Sequence, residues 1–290
     1  MSRYYYPEDR VAIIAMGGLF PDAKEIDTLW RNILDKKISI REIPDRFYDK
    51  NLFYKPELFG KANKQNKSYT NIAAVPEIMD NTALLRKYKI PPAVAEYMDP
   101  NQHATIYCVD QVMQNIKSNV PKERTAVILN TSAPGYNFEN VVRRTFLQRV
   151  ESEFLNHPEL KSNPMMNKIE SVFNEVQEKL LIGNLNITED STTGYLQNLT
   201  AGRISNIFDF QGPSFTVDSA CASALTAIAI SVSGLLNHEY DLALTGGVEV
   251  TLTEVGLVAF SAINALSPDG SYHFDSRANG FVMGLRGGIV

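Results

Sequence analysis

The chain has 290 residues, 44% of them apolar and 21% charged, with a net charge of −5. That composition is globular, and its acidic balance gives no general attraction to nucleic acid. No run approaches the ~20 apolar residues of a membrane span, and the first ten residues lack the apolar core of a signal peptide, so a cytoplasmic protein is expected. Two cysteines, Cys108 and Cys221, make neither a disulfide framework nor a metal-ligand spacing, and no cofactor or metal is expected.

Val11-Ala-Ile-Ile-Ala-Met16 is a continuous apolar run that breaks at Gly17-Gly18. It predicts a fully buried strand followed by a tight turn; the glycine spacing is not that of a phosphate loop. A helix is predicted near 27–34, with Ile26, Leu29, Trp30, Ile33 and Leu34 on one face. Residues 48–75 are rich in Tyr, Asn and Lys and predict a surface excursion, in which the basic residues of 61–67 form a solvated loop.

At Asp99-Pro100-Asn101-Gln102 the signals of a helix start coincide: a capping side chain, a proline at the first helical position and a glutamine placed for a capping box. This helix is predicted to run to about 117 with Val109, Val112, Met113 and Ile116 inward. Cys108 lies mid-helix, which makes it structural. Arg124-Thr-Ala-Val-Ile-Leu-Asn130 predicts a second buried strand. Residues 137–181 then carry two helical stripes, Val142/Phe146/Val150/Phe154 and Ile169/Val172/Val176/Leu180, broken at His157-Pro158 and Asn163-Pro164. They predict a helical hairpin inserted between core strands, with the stripes serving packing.

Phe215-Thr-Val-Asp-Ser-Ala-Cys221 reads as a short strand and a sharp turn, followed by a helix of small and apolar residues. Apolar residues on every side predict a buried helix. An isolated cysteine is ordinarily a small hydrophobe. Cys221, however, falls in the first helical turn, where unpaired N–H groups and the helix dipole favour a thiolate. Tyr240-Asp-Leu-Ala-Leu-Thr-Gly-Gly-Val-Glu-Val250 predicts a further strand whose glycine pair signals close backbone approach. Strands alternating with helices imply an α/β protein, a sheet with helices on both faces.

The segment from Asn198 through Ala-Gly-Arg-Ile-Ser, Gln-Gly-Pro-Ser and Val-Asp-Ser-Ala-Cys221-Ala-Ser resembles the active-site segment of β-ketoacyl synthases. These are the condensing domains of fatty-acid and polyketide synthases. Val11-Ala-Ile-Ile-Ala-Met-Gly-Gly-Leu-Phe-Pro21, Glu42-Ile-Pro-Asp-Arg-Phe47, the Met98-Asp-Pro-x-Gln102 pattern and Leu266-Ser-Pro-Asp-Gly270 are similar to other parts of the same family. The 137–186 insertion resembles a narrower subset, the polyunsaturated-fatty-acid-type and glycolipid-type iterative synthases.

The resemblance implies a thiolase-like layered fold, of which residues 1–290 supply one N-terminal domain, ending before the family's histidine motifs. It implies that Cys221 accepts an acyl group from an acyl carrier protein, with its own N–H as an oxyanion donor, and that decarboxylative condensation follows. It also implies a homodimer or a complementing synthase subunit. The family's two catalytic histidines and lysine have no counterpart. His103, His157, His238 and His273 have other neighbours, and His238 lies 17 residues past Cys221, about 25 Å along a continuous helix. His103 and His157 read as surface residues. The family's Gly-Glu-Gly is Gly284-Leu285-Arg286 here.

Three function classes follow. The first is an incomplete condensing enzyme; the second is a catalytically inactive half-domain serving as an interaction subunit. The third, a cysteine hydrolase or simple acyltransferase pairing Cys221 with His273, lacks an orienting third residue.

Overall fold

The computed structural model describes residues 10–62, 65–77, 81–117, 119–130, 135–161, 164–181 and 186–290. The first half contains β1 (Gly17–Leu19), α1 (Ile26–Leu34), β2 (Arg41–Glu42), α2 (Lys50–Phe53), β3 (Ile72–Ala74), α3 (Thr82–Lys87), α4 (Pro92–Tyr97), α5 (Pro100–Asn115) and β4 (Thr125–Asn130). Four helices follow, α6 (Tyr136–Asn156), α7 (Pro158–Lys161), α8 (Met166–Leu180) and α9 (Glu189–Tyr195). The chain continues with α10 (Leu199–Phe208), β5 (Ser214–Val217), α11 (Ser223–Leu236), β6 (Leu242–Glu249), α12 (Glu254–Ala262), β7 (Met283–Gly284) and β8 (Arg286–Ile289).

The main sheet has the order β1-β8-β6-β4-β5. Its β5, β4 and β6 are mutually parallel, whereas β8 runs antiparallel to β6 and to β1. β4 is an interior strand between β6 and β5, and its side chains alternate between two cores. Val127 and Leu129 join Val109 and Val112 of α5, Ile204 of α10 and Leu244 of β6 on one face. Ala126 and Ile128 join Ala227 of α11 on the other. The expected sheet with helices on both faces is therefore present.

Glycine makes two of these close approaches possible. A Cβ on Gly247 would stand 2.8 Å from the Ala224 Cβ, so β6 runs directly under the start of α11. Gly246 has φ +142, and a Cβ there would meet the Gly288 carbonyl at 2.2 Å.

Several expectations need correction. Residues 11–16 form no strand, and Ile13 is 68% exposed. The strand begins only at Gly17, which pairs with Ile289 in antiparallel register. Residues 11–15 have no ladder partner among the described residues.

The 48–75 region is not a surface excursion. Tyr48, Leu58, Tyr69 and Ala73 are buried with Ile43, Leu252, Leu257, Leu266 and Leu285 in a second core. The small sheet β2-β3-β7 accompanies it. Tyr69 ties the core together: its hydroxyl donates to the Leu266 carbonyl (2.7 Å) and accepts from the Leu266 N–H (3.0 Å).

The two stripes of the 137–181 helices are only partly covered. Phe146 is 61% exposed, and Val142, Val172, Val176 and Leu180 are exposed as well. The Phe154–Phe173 ring stack at 5.5 Å joins α6 to α8. The Asn163 break and residues 63–64 of the basic run lie outside the described residues. Finally, α11 is not buried all round. Ser223, Ala227, Ser231 and Gly234 face the sheet, whereas Leu225 is 72% exposed, because no described element covers that side.

The start of α5 is as predicted, with Asp99 accepting from the Asn101 N–H at 3.0 Å. Gln102 departs from the capping-box expectation. Its amide donates to the carbonyls of Thr193 and Gly194 (3.1 Å each), which fastens α9 to α5. Gly194 lies so close to Tyr97 that a Cβ would stand 1.8 Å from the Tyr97 carbonyl oxygen, and its own carbonyl accepts from the Asp99 N–H. Gly194→Ala is therefore expected to destabilise the fold by about 2–3 kcal/mol in urea denaturation. A loss below about 0.5 kcal/mol would show that this junction is not tight.

Candidate functional site

Cys221 lies in a single 3-10 turn, Ala220–Ala222, between β5 and α11. It thus sits two residues ahead of the α-helix rather than within its first turn. The sulfur-bearing residue is exposed, neither mid-strand nor covered by side chains. Since β4, β5 and β6 are parallel, the turn stands at their common C-terminal edge, the side on which open α/β sheets carry their sites.

The turn is tightly braced. Ala220 has φ +52, a left-handed conformation that costs energy for any residue with a Cβ. The Asp218 carboxylate accepts from the Ala220 N–H (2.8 Å). The Ser223 hydroxyl, buried at the head of α11, accepts from the Ser219 N–H (2.9 Å) and donates to the Ala220 carbonyl (2.7 Å). The Ser219 and Thr226 hydroxyls pair at 2.7 Å. The Ala222 N–H donates to the Ser219 carbonyl, and the Cys221 N–H has no acceptor among the described residues. An exposed thiol and a free backbone donor are thus presented by one residue. Behind the turn, the Asn130 side chain at the end of β4 accepts from the Val248 N–H (2.8 Å), locking β4 to β6.

Cys108 is the opposite case. It is fully buried in α5, and burial pushes its thiol up to about 12. It is structural, as expected.

None of the four histidines is placed beside Cys221 by any contact of the described residues. His238 follows the far end of α11, and His157 caps the exposed end of α6. His103 is not the expected surface residue. Burial lowers its pKa, and its Nε2–H donates to the Ala95 carbonyl at 3.0 Å. His273 is exposed and pairs with the Ser271 hydroxyl at 3.0 Å, with no orienting carboxylate. Two cavities of about 370 and 600 Å³ share Pro100, His103 and Tyr136 near the start of α5, and Cys221 lines neither. The left-handed Ala220 and the Asp218 and Ser223 bonds escaped the sequence reading. The available signal was the Asp-Ser-Ala-Cys-Ala-Ser run itself, rich in residues whose short side chains bond to nearby backbone.

The family model for the β-ketoacyl synthase N-terminal domain matches residues 8–290. The chain belongs to that family. It is 28% identical over 285 residues to polyketide synthase PksL of Bacillus subtilis, covering 98% of this chain and 5% of that protein. It is likewise 28% identical to a phenolphthiocerol/phthiocerol polyketide synthase of Mycobacterium tuberculosis, covering 97% of this chain and 16% of that one. The chain thus spans a small fraction of the curated relatives it matches.

Among solved structures, it superposes on the oxazolomycin ketosynthase domain OzmH KS7 of Streptomyces albus with a TM-score of 0.71 at 21% identity, covering 96% of this chain and 41% of that one. The ketosynthase from module 6 of the Bacillus subtilis bacillaene synthase gives 0.67 at 24% identity, with 96% and 39% covered. The thiolase-like layered fold of the ketosynthases is therefore shown for this chain.

The contrast between the two thiols is directly measurable. Brief alkylation of the native protein should add one adduct, at Cys221, and a second at Cys108 only after unfolding. Native adducts at both positions would contradict the burial of Cys108.

Proposed function

We propose that this chain is the nucleophile-bearing part of a ketosynthase, with Cys221 as its acyl acceptor. The observation that carries the proposal is the turn itself: an exposed thiol whose own N–H is free, held at the C-terminal edge of the parallel strands. The Cys221 sulfur, as thiolate, attacks the carbonyl carbon of an acyl group borne as a thioester on an acyl carrier protein. The new carbon–sulfur bond forms, the Cys221 N–H donates to the oxyanion, and the carrier thiolate leaves and takes up a proton. In the condensation, a malonyl-type thioester loses carbon dioxide; its carbanion attacks the acyl carbon, and the Cys221 thiolate leaves. The product is a β-ketoacyl thioester.

The stabilisation of that carbanion falls outside what these residues supply, since no histidine accompanies Cys221. The chain alone is therefore expected to take up acyl groups and to make no β-keto product. With an acyl-carrier thioester, intact-mass analysis should show one acyl increment, which is absent from Cys221→Ala. No increment in the folded protein, or condensation product from this chain alone, would overturn the reading. A second reading, an inactive interaction subunit, draws on Leu285. It stands where the family has glutamate, and it is sealed in the second core with its N–H on the Ala74 carbonyl (2.8 Å). The narrower likeness to polyunsaturated-fatty-acid-type and glycolipid-type synthases rests on the sequence of the 137–186 segment alone, which folds here as α6–α8.

We also propose a homodimer. β5 is the edge strand beside the nucleophile turn, with Ser214 and Phe215 exposed. An uncovered edge carries unpaired N–H and C=O groups and invites a second strand. A two-fold axis pairing β5 with its copy satisfies both edges with one self-complementary surface. Sedimentation equilibrium should give two copies, and Thr216→Pro, which removes a β5 N–H, should shift the protein to monomer. A wild-type monomer at all concentrations would exclude the dimer.

A further inference from the structure

Ser223 is the only side chain in the nucleophile segment that grips the turn from both sides. Its hydroxyl accepts the Ser219 N–H ahead of the left-handed residue and donates to the carbonyl of that residue, Ala220. It is buried, whereas residues 218–222 are exposed. It is also the first residue of α11, on the helix face that packs against the sheet with Ala227, Ser231 and Gly234. The left-handed residue is therefore fastened to the buried face of the helix through the Ser223 hydroxyl. The other braces are less central: Asp218 bonds within the turn, and the Ser219–Thr226 pair joins the turn to α11 on the helix's exposed side, without touching Ala220.

Alanine has no intrinsic reason to hold φ +52. Without a staple, Ala220 relaxes toward ordinary right-handed or extended backbone, and Cys221 swings away from the helix head. A hydroxyl is suited to this task because it donates and accepts at once. Alanine at 223 would leave the Ser219 N–H without its acceptor, while the Ala220 carbonyl would keep only the Ser223 backbone N–H.

We propose that Ser223 is the positioning residue for Cys221, holding Ala220 left-handed so that the thiol and its own N–H face the same side of the turn. The proposal rests on the reading of Cys221 as acyl acceptor only for its functional consequence; the geometric part stands without it.

The test is a double-mutant cycle with two readouts. The first is the pH profile of Cys221 alkylation by iodoacetamide in the native protein, which requires no substrate. The second is the rate of acyl uptake from a carrier thioester. Ser223→Ala should move the alkylation profile by about half a pH unit or more and slow acyl uptake by about tenfold. In an Ala220→Gly background, where left-handed backbone carries no Cβ penalty, the same Ser223→Ala change should slow uptake less than about threefold. That non-additivity is the signature of action through residue 220, which a merely structural loss would not produce.

An alkylation profile in Ser223→Ala that superposes on the wild type would overturn the proposal, as would an equal cost in both backgrounds. If Ser223→Ala does not fold, recovery of the fold by Ala220→Gly supports the proposal, and failure in both backgrounds refutes it. Absence of acyl uptake in the wild type would sink the acyl-acceptor reading alone; the alkylation arm still decides the role of Ser223.

Discussion

The burial of β4 on both faces is the constraint on which the other elements depend. Its six residues carry two cores, with Val127 and Leu129 packed toward α5 and α10 and Ala126 and Ile128 toward α11. Each fully buried aliphatic side chain of this kind contributes about 1.5–3 kcal/mol of burial free energy. A strand so covered must have hydrogen-bonded partners on both edges, because unpaired backbone in a core is costly. β5 and β6 supply them in parallel register. Parallel pairing requires crossovers, and the crossover from β5 to β6 is α11, which runs over the face beside Ala126 and Ile128. The turn that carries Cys221 is the start of that crossover, so its position follows from the way β4 is satisfied.

At that junction, close packing and strain coexist. Gly247 lets the first turn of α11 settle onto β6, with Ala224 in contact distance. The chain arriving from edge strand β5 must then reverse sharply to enter a helix already pressed against the sheet. Ala220 absorbs the reversal at φ +52, and the Asp218 and Ser223 bonds hold it there. Strain of this sort persists only where surrounding bonds over-determine it. Its consequence is that Cys221 is exposed although it leads into the interior of the molecule.

The second core plays a supporting part. Leu285 links the two sheets, since it lies between β7 and β8 with its side chain among Tyr48, Tyr69 and Leu266. A carboxylate in this apolar setting would be buried without a charge partner, an expensive arrangement. The leucine is thus consistent with its neighbours.

Much of the architecture could be read from residues 1–290 directly. The β4 run, the Asp99-Pro100 start of α5 and the structural status of Cys108 depend on local pattern and capping chemistry, which act within a few residues. The candidate nucleophile was legible chiefly through the resemblance of the residues around Cys221 to the β-ketoacyl synthase segment, and only in part through its place between a strand and a helix. Strand pairing was not legible, because it is decided by distant register: residues 11–16 are as apolar as β4, yet the partner β8 places its hydrogen bonds on residues 17–19 instead. The core role of Tyr48 and Tyr69 was hidden for the same reason, since the leucines that bury them come from residues 252–285. The exposure of Leu225 and Phe146 was equally out of reach, because periodicity shows that a face is apolar but not whether another element covers it. Local sequence determined strand β4, the start of α5 and which of the two thiols lies buried within a helix. Tertiary structure alone decided which apolar faces are covered, and how the backbone at Ala220 must bend to present Cys221, because both depend on groups brought together from far apart in the chain.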